Sequence, residues 1–201
     1  GRVQILYPAA DLSAAGLNAG TISSISFNVV LKGSTIPYNN FTIKMKCTTL
    51  ACLGSTWETG FTTVYGPTSF TTAVGWNAHP FTNSFDWDGV SDLLVEICFD
   101  NTSYTTDDDV RYTTTSCTSV LYDYMDNGAG CTLSTPATSS NRPNTIFEIC
   151  DAPTGSFTYN WTPTVGLSNP NIANPIATVT NNTTYTVTVT DLSNTSCTGN
   201  S

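Results

Sequence analysis

Short segments in which β-branched or aromatic residues alternate with polar ones recur throughout residues 1–150 and restrict the choice of fold. Alternation with a period of two is typical of strands that have one buried face. Threonine, which favours strands over helices, accounts for 37 of the 201 residues. Short strands with almost no helix predict an all-β fold, a jelly-roll-type β-sandwich. The predicted strands are 2–7, 21–31, 41–47, 62–65, 75–81, 93–99, 110–115, 119–124 and 145–150.

Residues 151–201 are predicted to form a second, smaller module. Alternation predicts strands over 157–161 and 185–190, and Pro163 and Gly166 between them favour turns. A complete Ig-like sandwich needs about seven strands and roughly 100 residues. We therefore predict two domains, a sandwich over 1–150 and a partial Ig-like module over 151–201, which would need strands from further modules or from neighbouring subunits.

Composition and charge exclude several classes of function. The net charge is −9, and the six basic residues are scattered, whereas a nucleic-acid surface needs clustered Lys and Arg. No apolar run of about 18 residues exists, so we expect no membrane insertion. The only helix predicted is 9–17, ended by Gly20.

Two stretches of the sequence resemble a known group of proteins. The run Y-x-W-T-P-T-x-G-L-S-N-P-N-I-A-N-P over 159–175, followed by T-T-Y-T-V-T-V-T-D, resembles PKD/Ig-like modules of large secreted Bacteroidota proteins. Such proteins include gliding adhesins and substrates of the type IX secretion system. Residues 2–101, with F-T-I-K-M-K and F-D-W-D-G-V-S-D-L-L-V-E-I-C-F-D-N, resemble a jelly-roll module of cell-surface proteins from the same phylum. The resemblance implies a secreted or surface-displayed multidomain protein and does not fix a ligand.

Seven cysteines favour an oxidising compartment outside the cytoplasm. No C-x-x-C spacing occurs and His79 is the only histidine, so a zinc site is not indicated. Spacing in the sequence suggests three disulfides, with buried free cysteines as the alternative. The predicted pairs are Cys47–Cys52, Cys117–Cys131 and Cys98–Cys150, which leaves Cys197 unpaired.

One acidic segment resembles the start of a calcium loop. Asp86, Asp88 and Asp92 place alternate carboxylates before a predicted strand, a spacing that suits a hard cation such as Ca²⁺. The segment lacks the bidentate acid at position twelve of an EF-hand. The alternative is that Asp88-Gly89 is simply a tight turn. A second acidic run, 107–109, is expected to be a solvated loop.

Aromatic residues raise the question of carbohydrate binding. Trp57 lies among turn residues and is the best candidate for an exposed sugar-stacking ring, with a core role as the alternative. Catalysis is poorly supported, because His79 precedes Pro80 and has no nucleophile motif around it. The other aromatic residues considered for a sugar platform are Trp76, Trp87, Tyr65 and Tyr104.

These observations predict a non-enzymatic module of a secreted or surface-displayed bacterial protein. It would act in adhesion or as a structural unit of a fibre or stalk, with a polysaccharide or another surface ligand as its partner. The alternative hypothesis is a carbohydrate-binding accessory domain of a secreted hydrolase. No cofactor is expected apart from the candidate Ca²⁺ site.

Overall fold

The computed structural model describes residues 1–103, 105–126, 128–150 and 157–191. Strands dominate these residues, and the predicted all-β class is confirmed. Neither of the two short helices in this part of the chain is long and apolar enough to cross a membrane. The chain divides into two compact units, Gly1–Ile149 and Cys150–Ser201.

The first unit is built from short strands and two short helices. In chain order its elements are β1 (Arg2–Tyr7), α1 (Ala9–Ala14), β2 (Gly20–Leu31), β3 (Tyr38–Thr48), β4 (Thr62–Phe70), β5 (Gly75–Trp87), β6 (Asp92–Cys98), β7 (Asp109–Val110), β8 (Tyr112–Thr114), β9 (Val120–Asp123), a 3-10 helix (Gly130–Thr132), β10 (Ala137–Ser139), β11 (Asn141–Pro143) and β12 (Thr145–Cys150).

Two sheets face each other in this unit. The larger sheet has the order β10-β9-β1-β6-β3-β4, with every neighbouring pair antiparallel. The smaller sheet has the order β12-β2-β5, and β7 also pairs with β2. A separate ladder joins β8 to β11. The chain crosses between the two sheets repeatedly, from β1 to β2 to β3 and again from β4 to β5 to β6, so the arrangement is of the jelly-roll type.

The core lies between the two sheets. Side chains alternate across each strand, so Ile5 and Tyr7 of β1 face inward while Leu6 faces the opposite side. Burying a large apolar side chain stabilises the fold by about 1.5–3 kcal/mol. The larger buried members of this core are Ile5, Tyr7, Leu12, Ile22, Ile25, Phe27, Phe41, Ile43, Met45, Val64, Trp87, Leu93, Val95 and Ile97.

The outer face of the larger sheet is covered by the loop 49–61. Leu53 of this loop packs with Leu6, Leu94 and Leu121 in a small second cluster. The sheet is therefore buried on both faces near its centre.

A polar network lies beside this second cluster. Glu96, with its side chain 2% exposed, is bound by Arg2 at 2.6 Å and by Lys44 at 2.7 Å. Gln4 donates to Glu96 and to the carbonyl of Glu58, and it accepts from the backbone N–H of Glu58. Burial alone would raise the pKa of Glu96, but these hydrogen bonds outweigh burial and lower it. The network fixes the covering loop to the sheet.

Helix α1 is shorter than the sequence predicts. It ends at Ala14, and Gly16 has a φ of +93°, a conformation that glycine adopts without strain. The N–H of Leu17 bonds to the carbonyl of Leu12, and the N–H of Gly16 bonds to that of Ser13. This is a Schellman motif, so Gly16 rather than Gly20 terminates the helix.

Gly66 lies inside strand β4, although a Gly-Pro pair is typical of a turn. Strand β4 continues through it, and the register with β3 shifts opposite Phe41. Gly66 has a φ of +77°, and a Cβ there would collide with the carbonyl oxygen of Phe41. The glycine therefore permits a bulge that lets the long strand bend.

The disulfide pairing predicted from sequence spacing is wrong. Cys52 bonds to Cys117 and Cys98 bonds to Cys131. Cys47, which was predicted to pair with Cys52, is exposed and has no disulfide partner among the described residues. Cys98 cannot pair with Cys150, because its sulfur is already bonded to Cys131. The side chain of Cys150 and all of Cys197 lie outside the described residues.

The described part of the second unit contains one antiparallel ladder of two strands, β13 (Phe157–Thr162) and β14 (Thr186–Asp191). Trp161 faces Val187 in this register, and its indole N–H donates to the carbonyl of Ile172. Tyr185 donates its hydroxyl to the carbonyl of Val165. Residues between the strands are thus tied to the ladder.

Candidate functional site

The three aspartates of the predicted calcium loop do not form a metal site. Each carboxylate accepts hydrogen bonds from separate donors: Asp86 from the hydroxyl of Thr21, and Asp92 from the backbone N–H of Ala9. Asp88 accepts three bonds from the two residues that follow Gly89, as expected for a tight turn. No group of three or more acidic, His or Cys side chains suited to a metal occurs among the residues in the described ranges.

Trp57 is not the exposed sugar platform that its sequence context predicts. Its ring is partly buried against the second apolar cluster, and the guanidinium of Arg2 lies 4.4 Å from the ring centroid. Its indole N–H is buried without a hydrogen-bond partner in the described part of the chain. A ring with a cation over its face is not free to stack on a sugar.

The other aromatic candidates lie in different parts of the molecule. Trp87 is in the core and donates to the carbonyl of Ser91 at 2.7 Å. Tyr65 packs edge-on against His79. Trp76 is exposed on β5 of the smaller sheet. Tyr104 lies outside the described residues. The structure therefore does not assemble the predicted platform.

His79 lies inside an aromatic cluster. It is 2% exposed, it stacks on Phe41 and it contacts Phe70 with ring centroids 4.4 Å apart. Its Nδ1 is buried without a hydrogen-bond partner among the described residues. Burial lowers the pKa of His79 to about 4, so the imidazole is neutral at physiological pH.

A cavity of about 340 Å³ lies beside His79, between the two sheets. We call it the inter-sheet cavity. Its volume falls in the range of small-molecule sites, and its wall is mainly apolar with a few polar groups, as is usual for such sites. The lining residues are Val3, Ile5, Phe27, Val29, Tyr38, Phe41, Phe70, Thr72, Asn77, His79, Ile97, Phe99, Asp107, Asp108, Val110 and Pro143.

Asp108 holds the loops at one end of this cavity together. Its carboxylate accepts hydrogen bonds from the N–H groups of Gly33 and Ser34 and from the hydroxyls of Ser34, Tyr38 and Thr72. Burial raises the pKa of Asp108, but these hydrogen bonds outweigh burial and lower it to about 2. The sequence-based expectation of a solvated loop is therefore wrong for this residue.

A larger groove, of about 570 Å³, adjoins the cavity. We call it the tyrosine groove. Tyr38, Phe99 and Asp107 line both the groove and the cavity. Tyr124 is the most exposed ring of the groove, with 73% of its surface accessible. The remaining lining residues are Gly1, Ser34, Ile36, Asn101, Ser103, Thr105, Thr106, Tyr122, Met125 and Asp126.

The chemistry of the groove is that of a binding surface. Tyrosine rings present flat apolar faces with a polar tip. The carboxylates of Asp107 and Asp126 present hydrogen-bond acceptors, whereas the amide of Asn101 is already bonded to the backbone of Asn39 and Pro37. Sequence reasoning did not single out Tyr122, Tyr124 or Asp126. The alternation of Tyr122 and Tyr124 at the end of the predicted strand 119–124 was the one available signal.

No protein-family model, curated protein or solved structure matched this chain significantly.

Proposed function

We propose that this chain is a non-enzymatic binding module of a secreted or surface-displayed bacterial protein, and that it acts in adhesion. The observation that carries the proposal is the tyrosine groove, which joins the inter-sheet cavity at Tyr38, Phe99 and Asp107. A concave site with aromatic rings and a few polar groups is the usual form of a ligand site.

The disulfides support a location outside the cytoplasm. Cys52–Cys117 and Cys98–Cys131 join segments 65 and 33 residues apart in the sequence. Such bonds form and persist in oxidising compartments. Cross-links of this kind suit a module that must stay folded outside the cell, including a structural unit of a fibre or stalk.

The state of His79 supports a binding role rather than acid–base catalysis. A general base works best with a pKa near the working pH. The pKa of His79 is lowered to about 4, and its ring is packed among Phe41, Tyr65 and Phe70.

A carbohydrate-binding accessory domain of a secreted hydrolase is the second candidate function. The exposed ring of Tyr124, in a groove that Asp107 and Asp126 also line, favours it, since such a ring can stack on a sugar while the carboxylates bind its hydroxyls. The two candidates share one binding surface. They differ in the parent protein, which would carry repeated modules in the first case and a hydrolase domain in the second.

The proposal can be tested by co-sedimentation of the 201-residue chain with insoluble cellulose, chitin, starch and bacterial cell-wall polysaccharide. We expect retention on at least one of these surfaces, with no release of soluble sugar above the buffer blank. Retention on none of them would count against carbohydrate adhesion. Steady release of sugar would contradict a non-enzymatic role.

A further inference from the structure

The polar side chains that line the inter-sheet cavity differ in whether their hydrogen-bonding groups are used. Asn77 accepts from the N–H of Ala73 and donates to two backbone carbonyls. Thr72 donates to Asp108 and accepts from Lys32, and the hydroxyl of Tyr38 also donates to Asp108. These side chains already have partners within the protein.

Among the buried polar side chains of this lining, His79 is the exception. Neither of its ring nitrogens has a hydrogen-bond partner among the described residues, although buried polar groups are nearly always hydrogen-bonded. Nδ1 has no accessible surface, so Nε2 is the nitrogen that a ligand in the cavity can reach, and a group that bonds to Nε2 gains affinity.

The required partner of His79 is a neutral group. An unpaired charge would lose its hydration in the apolar cavity, and the carboxylate of Asp108 is already occupied by five donors. A neutral imidazole has one N–H donor and one acceptor nitrogen. A hydroxyl can both donate and accept, so it satisfies His79 in either tautomer.

The apolar part of the ligand should be flat. Phe27, Phe41, Phe70 and Phe99 line the cavity, and aromatic rings pack favourably edge-to-face or offset against one another. An apolar cavity of about 150 Å³ can hold benzene. The 340 Å³ found here leaves room for a larger ring system.

We propose that the inter-sheet cavity binds a phenolic ring, with the hydroxyl bonded to His79 and the ring packed among the phenylalanines. This inference rests on the proposed function, because it names the chemistry recognised in one part of the same site. The ring is either free or carried by a polymer that lies in the tyrosine groove, since the two spaces meet at Tyr38 and Phe99.

The test compares three ring compounds by NMR titration of the 201-residue chain. The probes are 2-naphthol, naphthalene, which lacks the hydroxyl, and decahydro-2-naphthol, which lacks the flat ring. We expect 2-naphthol to bind about tenfold more tightly than either of the others, a typical gain for one completed hydrogen bond or one well-packed aromatic ring. Equal affinities for 2-naphthol and naphthalene, or no binding of 2-naphthol, would overturn the proposal.

Two variants assign the site. His79→Phe should lower the affinity for 2-naphthol to that for naphthalene and leave naphthalene unchanged. Val29→Phe should fill the cavity and abolish binding of both, whereas the same change at Val30, on the solvent side of β2, should leave binding intact. If Val29→Phe does not fold, by near-ultraviolet circular dichroism, the His79 variant and the probe series decide alone.

The source of the phenol is tested with a feruloylated xylan and the same xylan after alkaline removal of its ester groups. Tighter retention of the feruloylated form indicates a polymer-borne ring, and equal retention indicates a free one. Failure of this inference is distinct from failure of the proposed function. If the chain binds a polysaccharide but not 2-naphthol, only the cavity inference is refuted. If it binds 2-naphthol but no polysaccharide, only the adhesion proposal is refuted.

Discussion

His79 stacks on Phe41, with ring centroids 5.1 Å apart and ring planes inclined by 19°. Phe41 belongs to β3 of the larger sheet and His79 to β5 of the smaller one, so the pair joins the two sheets where they border the inter-sheet cavity. A neutral imidazole fits this aromatic setting, while an imidazolium would be buried without a counter-ion. The stability of the sandwich should therefore depend on the protonation state of His79.

The first prediction concerns pH and His79. Its folded pKa of about 4 lies below the ordinary value of 6.5, so the unfolded chain binds the proton more readily. The neutral His79 therefore contributes to the free energy of unfolding in full above pH 6.5. This contribution, about 3 kcal/mol, is lost as the pH falls from 6.5 towards 4. Urea unfolding at pH 7, 5.5 and 4 should show this loss in the wild type and not in His79→Phe. If the free energy of unfolding falls equally with pH in the wild type and in His79→Phe, the prediction is contradicted.

The second prediction concerns Asp108. Replacement by Asn removes the charge that five hydrogen-bond donors converge on, and should lower the free energy of unfolding by about 1–3 kcal/mol at pH 7. Because the folded pKa of about 2 lies below the ordinary 3.8, the wild type should lose this advantage as pH falls from about 4 to about 2. Asp109→Asn, in the exposed neighbour, is the matched control and should change little.

The third prediction concerns the disulfides. Peptide mapping without reduction should recover Cys52 linked to Cys117 and Cys98 linked to Cys131. Replacing either pair by serine should lower the free energy of unfolding by about 3–4 kcal/mol, because each bond closes a long loop. Cys47→Ser should have no comparable effect. Recovery of a Cys47–Cys52 peptide would contradict the Cys52–Cys117 bond.

Local features of the fold could be predicted from the sequence, and long-range ones could not. Alternation located β1 and β12 correctly because it depends only on neighbouring residues. Disulfide pairing depends on which strands and loops meet. Cys47 and Cys52 are close in sequence, but the loop after β3 turns Cys52 towards Cys117.

The candidate site was harder to predict for the same reason. His79 was identified as the lone histidine, but its aromatic neighbours come from other strands on both sheets. Asp108 stands in a run of three acids. Asp108 lies two residues before Val110, which also lines the cavity, and residues two apart in a strand share a face. This spacing was the only sign in the sequence that Asp108 faces inward. Trp57 was misassigned because sequence does not reveal that its loop folds over the larger sheet.

The most direct test of a binding role is retention of paired tyrosine variants on the polysaccharide that binds the wild-type chain. Tyr124 lies in the groove, while Tyr112 is an exposed tyrosine outside it, with 56% of its surface accessible. Tyr124→Ala should weaken retention about tenfold, as expected when a contacting aromatic ring is lost, and Tyr112→Ala should leave it unchanged. Equal retention of the two variants would contradict the account, because the groove would then not be the binding surface.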